Sequence, residues 1–260
     1  MKTRLPFLVA AVLGVILVPA SADGADMTWG PASGESFRIG PGLGVISRVI
    51  SWDDGTELSN LTATSFSLNA EFDLKWGLSL GIRAGFSLSD YAGMFFRNLP
   101  FSLEYASGGA EGVFGGVSLK KNLFSAGDFE IGMRGEFVYN IGLKKTWALE
   151  GLAVEGQAVG EPRWMAGWAG PTVMYRGFEK FVPRLTVAAE WFSGEFLVQQ
   201  TVGDLKRSET KEFQGAGLIR VLLGADYRIG PRLTLTGEAL MIPCKDGIST
   251  GASAGLLIHF

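Results

Sequence analysis

The stretch "SFSLNAEFDLKW" (65–76) alternates two chemistries residue by residue. Phe66, Leu68, Ala70, Phe72, Leu74 and Trp76 share one parity, and Ser67, Asn69, Glu71, Asp73 and Lys75 share the other. A period of two is the side-chain period of a β-strand; a helix would bring apolar residues back every three or four positions. Across Gly77, "LSLGIRAGFSLS" (78–89) repeats the pattern, with Leu78, Leu80, Ile82, Ala84, Phe86 and Leu88 set against Ser79, Gly81, Arg83, Gly85, Ser87 and Ser89. Two such runs joined by so short a connection predict an antiparallel hairpin. Each run exceeds the roughly 5–6 residues of an ordinary strand and matches the about 9–11 that a tilted strand needs to cross a bilayer.

The same unit recurs along the chain. The alternation predicts strands over 36–50, 64–76, 78–89, 111–123, 128–141, 163–176, 182–193, 214–229, 232–242 and 250–260, with Pro171 interrupting the sixth. That is about ten strands, with eight or twelve as the alternatives. Short connections at Gly77, 125–128, 177–180 and 230–232 alternate with longer ones at 51–63, 90–110, 142–162, 194–213 and 243–249. The fold class this predicts is all-β, a closed antiparallel up-and-down transmembrane barrel over residues 36–260. In lipid every backbone donor and acceptor must be paired within the protein, so a sheet there has to close on itself. A soluble barrel or sandwich would bury the apolar parity instead, and its interior has no room for Phe, Trp, Leu and Ile from every strand.

Composition agrees. Charged residues are 19 % of the chain, below the roughly 25 % of soluble domains, while glycine, at 37 of 260 residues, is far above its usual share of about 7 %. The net charge of -3 and pI near 5.4 give no basic surface for nucleic acid. Aromatics on the apolar parity cluster toward strand ends. Phe37, Trp76, Tyr175, Tyr227 and Phe260 are expected to form one interfacial belt, and Trp52, Phe66, Phe86, Tyr139, Trp168 and Trp191 the other. At the N-terminus, Lys2 and Arg4, the apolar run Leu5–Val18 and Ala20-Ser21-Ala22 have the three parts of a secretory signal peptide, predicted to be cleaved after residue 22. Residues 23–35 then form a short segment ahead of the barrel. Cys244 is the sole cysteine, so no internal disulfide contributes to stability.

The chain ends on Phe260, with Ile258, Leu256 and Ala254 at every second position before it. This ending resembles the terminal signature of bacterial outer-membrane β-barrel proteins of the small single-chain class. The resemblance implies residence in the cell outer membrane, contact with its lipid and lipopolysaccharide, and recognition of the last strand by the barrel-assembly machinery. It also implies that both mature termini face the periplasm.

Chemistry, if any, belongs to the polar parity, which faces the lumen. Its acids include Glu71, Asp73, Glu136, Glu190 and Glu238, and its bases Arg83, Arg134 and Arg220. Glu71 and Arg83 share the hairpin about Gly77 and are expected within ion-pair reach. One reading is a charge network filling a narrow or plugged barrel, which serves as a surface or structural protein. The alternative is the lining of a passive channel for small solutes. An outer-membrane enzyme is the third reading. Outer-membrane proteases and lipases of similar strand number use a histidine near the outer rim, but the sole histidine here, His259, is next to the C-terminus. No Ser-His or Cys-His pair is expected, and neither a cofactor nor a metal site. Asp53, Asp54 and Glu57 of "WDDGTE" (52–57) read as a turn. The apolar loop "YAGMFFRNLPFSLEY" (91–105) is expected to pack into the barrel mouth.

Overall fold

The structure is a computed structural model that describes residues 36–52, 58–92, 94–96, 103–105, 109–148, 156–245 and 247–260. The leader 1–22, the segment 23–35, the acids of 53–57 and residues 93 and 97–102 of the loop 91–105 lie outside the described residues. The strands are β1 (Ser36–Trp52), β2 (Leu58–Asp73), β3 (Leu78–Ala92), β4 (Met94–Phe96), β5 (Leu103–Tyr105), β6 (Ala110–Ala126), β7 (Phe129–Gly142), β8 (Lys145–Ala148), β9 (Gly156–Tyr175), β10 (Phe181–Val202), β11 (Leu205–Gly215), β12 (Ile219–Gly230), β13 (Leu233–Cys244) and β14 (Gly247–His259).

Ten of these close into a ring in the order β1-β2-β3-β6-β7-β9-β10-β12-β13-β14 and back to β1. All neighbours are antiparallel. The seam pairs β1 with β14, from Arg38 opposite His259 to Ser47 opposite Thr250, and the Phe260 amide donates to Phe37 O at 3.0 Å. The alternation of 65–89 does what its parity dictates. Phe66 and Phe86 stand opposite each other on the outer wall, 60 % and 69 % exposed, while Ser67 and Gly85 face inward as a pair. Both described termini lie at the end of the barrel that carries the short turns. At one of these, Trp76 and Gly77 adopt positive φ (62° and 67°) to reverse the chain. That conformation suits glycine and is uncommon for a residue as bulky as Trp.

Two Gly-Pro pairs sit inside the wall without breaking it. Pro171 is in β9, between two partner strands, where proline is ordinarily excluded because it lacks an N–H. The ladder with β10 skips there, from Thr172–Thr186 to Ala169–Ala189, and a Cβ on Gly170 would collide with the Val187 carbonyl oxygen. Gly40-Pro41 repeats the device on β1. The ladder with β14 skips from Ile39–Ile258 to Gly42–Gly255, and a Cβ on Gly40 would collide with the Leu256 carbonyl oxygen. In each case proline gives up a bond that the local geometry does not make, and glycine lets the neighbouring backbone close in.

At the other end the strands rise well beyond the expected bounds. Much of the predicted loops 51–63, 142–162 and 194–213 is strand: β2 starts at Leu58, β9 at Gly156, and β10 runs to Val202. The outward side chains there are mostly polar, such as Glu195, Gln199 and Thr201, with Leu197 and Val159 among them, so the continuous apolar parity that marks a lipid-facing strand is interrupted. The expected strand 214–229 is two elements. Its first residues belong to β11, which forms a hairpin with β10 and then pairs with β1 at Ile50–Gly215, Ser51–Gln214 and Trp52–Phe213. The chain then steps through 216–218 into β12. The β13–β14 hairpin turns at about the height of Val49, whose amide donates to Ser249 Oγ at 2.9 Å. Above that height β11 alone spans the gap between β10 and β1 that β12, β13 and β14 fill below. The sheet therefore narrows into a neck, where β8 takes over from β7 along the same edge of β9.

The neck encloses an apolar core. Ile50, Trp52, Leu61, Tyr91, Phe192, Phe196, Val198 and Phe213 are buried together, with Trp147 and Trp164 packed against them. Tyr91 meets Phe196 edge-on at 5.2 Å and Trp52 meets Phe213 edge-on at 5.2 Å, the T-shaped geometry aromatic rings prefer. Two residues assigned to the outer aromatic belt are thereby corrected. Trp52 is 4 % exposed inside the neck, and Trp168 is 3 % exposed inside the lumen, in register with the inward Glu136 and Glu190.

Candidate functional site

The lumen below the neck is lined by the polar parity. Near the termini, Arg38 Nη2 reaches Asp73 at 2.9 Å and Glu71 at 3.1 Å, and Lys120 Nζ reaches Glu71 at 3.3 Å. Asp73 also accepts from Ser79 Oγ at 2.7 Å and from Ser36 Oγ. At mid-height, Glu238 is shared by Arg134 and Arg184, the latter through Nε at 3.1 Å, and Arg184 Nη1 meets Asp226 at 2.5 Å. Arg83 Nη2 meets Glu136 at 2.5 Å.

Directly beneath the neck, Glu190 is held by two arginines. Arg220 grips it with two bonds of 2.9 Å, and Arg48 approaches the same carboxylate. The Glu190 side chain is fully buried and Arg48 nearly so. Two guanidinium charges on one carboxylate leave an excess positive charge away from water, which is costly unless other groups face it. Aromatic rings do: Arg48 lies 4.1 Å from the Phe192 centroid, and Trp168 carries Arg220 at 5.4 Å and Arg134 at 5.2 Å. These are cation–π distances, worth most where the cation is desolvated. Trp168 thus joins the buried layer above to the mid-lumen network below.

The eight sequence candidates occupy these positions. Glu71 and Asp73 are in the lower group; Arg83, Arg134, Glu136 and Glu238 are in the middle; Glu190 and Arg220 are beneath the neck. The expected Glu71–Arg83 pair is replaced by other partners. Asn69 is the residue opposite Arg83, so Glu71 sits on the diagonal, and Arg83 turns to Glu136 on the far side of β6. Sequence reasoning missed Arg48 and Lys120 as lumen charges. Both keep the inward parity of their strands, Arg48 with Arg38 and Lys120 with Ser118, and that was the available signal.

The lower and middle groups enclose a polar cavity of about 140 Å³ walled by Arg38, Glu71, Arg83, Lys120, Arg134 and Glu238 among others. Glycines and serines on the inward parity, such as Gly42, Gly81 and Ser67, leave this space. Such a polar, charge-walled space can hold water. His259 lies at the terminal end of the lumen, its Nε2 2.8 Å from Thr234 Oγ1. Among the described residues no carboxylate hydrogen-bonds its ring, so the hydroxyl–imidazole contact lacks the third group of a catalytic triad. Cys244 Sγ lies 3.4 Å from Ile242 O and 3.5 Å from Ser249 Oγ at the β13–β14 turn. No group of three or more potential metal ligands occurs among the described residues.

Neither protein-family models nor curated protein sequences match the chain. Solved structures do. The outer membrane protease OmpT from Escherichia coli superposes with a TM-score of 0.52 at 12 % identity, over 88 % of this chain and 99 % of that one. The translocator domain of the autotransporter NalP from Neisseria meningitidis gives 0.48 at 11 %, over 98 % of each chain. An outer membrane channel from Pseudomonas putida F1 gives 0.42 at 9 %, over 92 % of this chain and 100 % of that one. The chain has the fold of the bacterial outer-membrane β-barrel proteins. Identities of this order relate folds and nothing narrower.

Proposed function

We propose that the protein is an integral outer-membrane barrel that serves as a surface or structural protein and passes no solute, its lumen sealed at the neck and held by paired charges. The observation that carries this is the aromatic core of the neck. Phe196 and Phe213, from opposite sides of the β10–β11 hairpin, pack onto Tyr91 of β3, so side chains from across the ring meet on the axis. The wall glycines fit those rings: a Cβ on Gly160 would stand 2.9 Å from both Phe196 and Trp147.

The outer wall supports membrane residence, with its exposed Phe, Leu, Val and Ile from the ring strands and its aromatics at both ends. The terminal signature Ala254, Leu256, Ile258 and Phe260 supports assembly through the periplasmic machinery, with the leader removed and both mature termini periplasmic. The neck then stands on the cell surface, in contact with lipopolysaccharide. The protein is not an enzyme in this reading, because its histidine is at the end opposite the neck and no carboxylate among the described residues hydrogen-bonds it. A narrow channel is the second reading, and the 140 Å³ polar cavity favours it. Proteoliposome swelling in small sugars tests the choice. Vesicles carrying the folded barrel should swell no faster than empty ones, and size-dependent swelling would replace the sealed barrel with the channel.

A further inference from the structure

We infer that the polar cavity of the lumen binds one small oxyanion, of the phosphate or sulfate class, admitted from the terminal end of the barrel. The direction of entry rests on the sealed neck proposed above, which leaves the terminal mouth as the way in. Two residues of the cavity wall, Arg38 and Thr234, are partners of His259, the last inward residue of β14, by register and by hydrogen bond. The cavity therefore reaches the last inward row at that end.

Short side chains in register make the space. At mid-height the inward residues of β14, β1 and β2 are Ser253 and Gly255, Gly42 and Gly44, and Ser65 and Ser67, paired with one another across the two ladders. None of them reaches far into the lumen, and across the ring β7 and β10 present Arg134 and Arg184. About 140 Å³ is the share of roughly four or five waters, enough for a tetrahedral oxyanion. It is below the roughly 300 Å³ at which sites for larger organic ligands begin.

Hydrogen bonding chooses the sign of the occupant. Five bases belong to the wall, Arg38, Arg83, Lys120, Arg134 and Arg184, against four acids, Glu71, Glu136, Asp226 and Glu238. Each of these acids is already bonded to a base. Asp73 takes a bond from Arg38 but stands outside the wall, where Ser36 and Ser79 also donate to it. The atoms left over are donors. The Nε groups of Arg38, Arg83 and Arg134 are buried without an acceptor among the described residues, whereas no carboxylate oxygen of the wall is buried and unbonded among them. Buried N–H groups on charged side chains are costly to leave unpaired. A cation would add donors or charge of the wrong sign. An oxyanion brings several acceptor oxygens to several guanidinium groups at once, the match that makes arginine the usual reader of phosphate.

Isothermal titration calorimetry of the folded barrel in detergent, with inorganic phosphate as the probe, tests the site. The wild type should take up one phosphate per barrel, saturably. Sulfate should compete, and chloride at equal concentration should not, because a single halide cannot bridge several donors. Arg83→Ala removes one of the unpaired donors with its charge and should weaken phosphate binding about tenfold. Ser253→Leu fills the space without removing a charge and should lose at least as much; it carries the test if Arg83→Ala fails to fold. Arg163→Ala, which makes the same change of charge on the outer wall, should bind as the wild type does. No uptake by the wild type would mean that water alone fills the cavity and would overturn the inference. So would equal uptake by the wild type and a folded cavity variant, or equal competition by chloride. Steady conductance through a wild type that still binds one phosphate would defeat the sealed neck and support the site.

Discussion

Arg83 meets the Glu136 carboxylate at 2.5 Å from a strand that is not its neighbour, for β6 lies between β3 and β7. Reaching over a strand is possible because the β6 position between them is Gly116, opposite Arg83, where a Cβ would stand 3.2 Å from Arg83 Nε. The pair borders the polar cavity, and Arg83 is 38 % exposed, so water screens it. Arg83→Ala should therefore cost about 1 kcal/mol or less in urea unfolding followed in detergent micelles. A double-mutant cycle should show coupling with Glu136→Ala and additivity with Glu71→Ala. Coupling to Glu71 alone would mean that the partners are misassigned. Gly116→Val should cost more than Arg83→Ala, because its Cβ would stand 2.8 Å from the Phe137 carbonyl oxygen as well as driving the guanidinium off its path.

The buried layer behaves differently. Glu190→Ala leaves Arg48 and Arg220 facing each other without their shared carboxylate, in a layer that water does not reach. Breaking such a buried pair costs about 3–5 kcal/mol, several times the expected effect at Arg83. Replacing all three residues with apolar side chains should recover much of the loss, because the stranded charges go with their partner. The unfolding midpoints of the single and triple variants decide the matter; a single variant as stable as wild type would show that the layer is wet.

Closure at the seam gives a third expectation. Phe260 stacks near Phe37 at 5.9 Å, and Phe37 near Phe72 at 4.8 Å, so the last residue extends an aromatic row over three strands. Phe260→Asp puts a charge into that row and removes the terminal signature. The variant should accumulate outside the membrane fraction and lose its heat-modifiable band on gels. Normal membrane levels would show that the seam closes without the aromatic end.

Topology can be read chemically. In a Cys244→Ser background, Asp204→Cys at the tip of the β10–β11 hairpin should react with a membrane-impermeant maleimide on intact cells. Asp128→Cys, at a short turn on the terminal end, should react only after the outer membrane is breached. The reverse pattern would invert the barrel.

How much of this was legible in the sequence depended on whether the two faces of a strand meet different solvents. Over 65–89 one parity meets an apolar medium and the other a polar lumen, so the ten wall strands stand out in the alternation. In the neck the contrast disappears. Ile50, Trp52, Phe196 and Phe213 keep inward parity but are apolar, and the outward residues beside them mix Ser51 and Glu195 with Val49 and Leu197, so neither parity carries the mark that identifies lipid-facing strands. That is why the alternation alone puts Trp52 in a belt and 194–213 in a loop. Trp168 failed for a related reason: parity places it inside with Glu190, but its size suggested an interfacial anchor. The Arg83 partner was beyond local reasoning, because it depends on the glycine across the ladder and on lumen width. β11 standing in for three strands is a long-range pairing that no window of sequence contains.

The sealed neck is the central claim, and single-channel recording in a planar bilayer tests it most directly. The wild-type barrel should insert and show no steady conductance, because Phe196, Phe213 and Tyr91 meet on its axis. The double variant Phe196→Ser, Phe213→Ser should open a steady conductance whose ion preference shifts when Glu190→Gln is added, since the charged layer beneath the neck would then line the path. Steady wild-type conductance whose selectivity moves with Arg134→Ala would contradict the account, because the mid-lumen charges would then line an open pore.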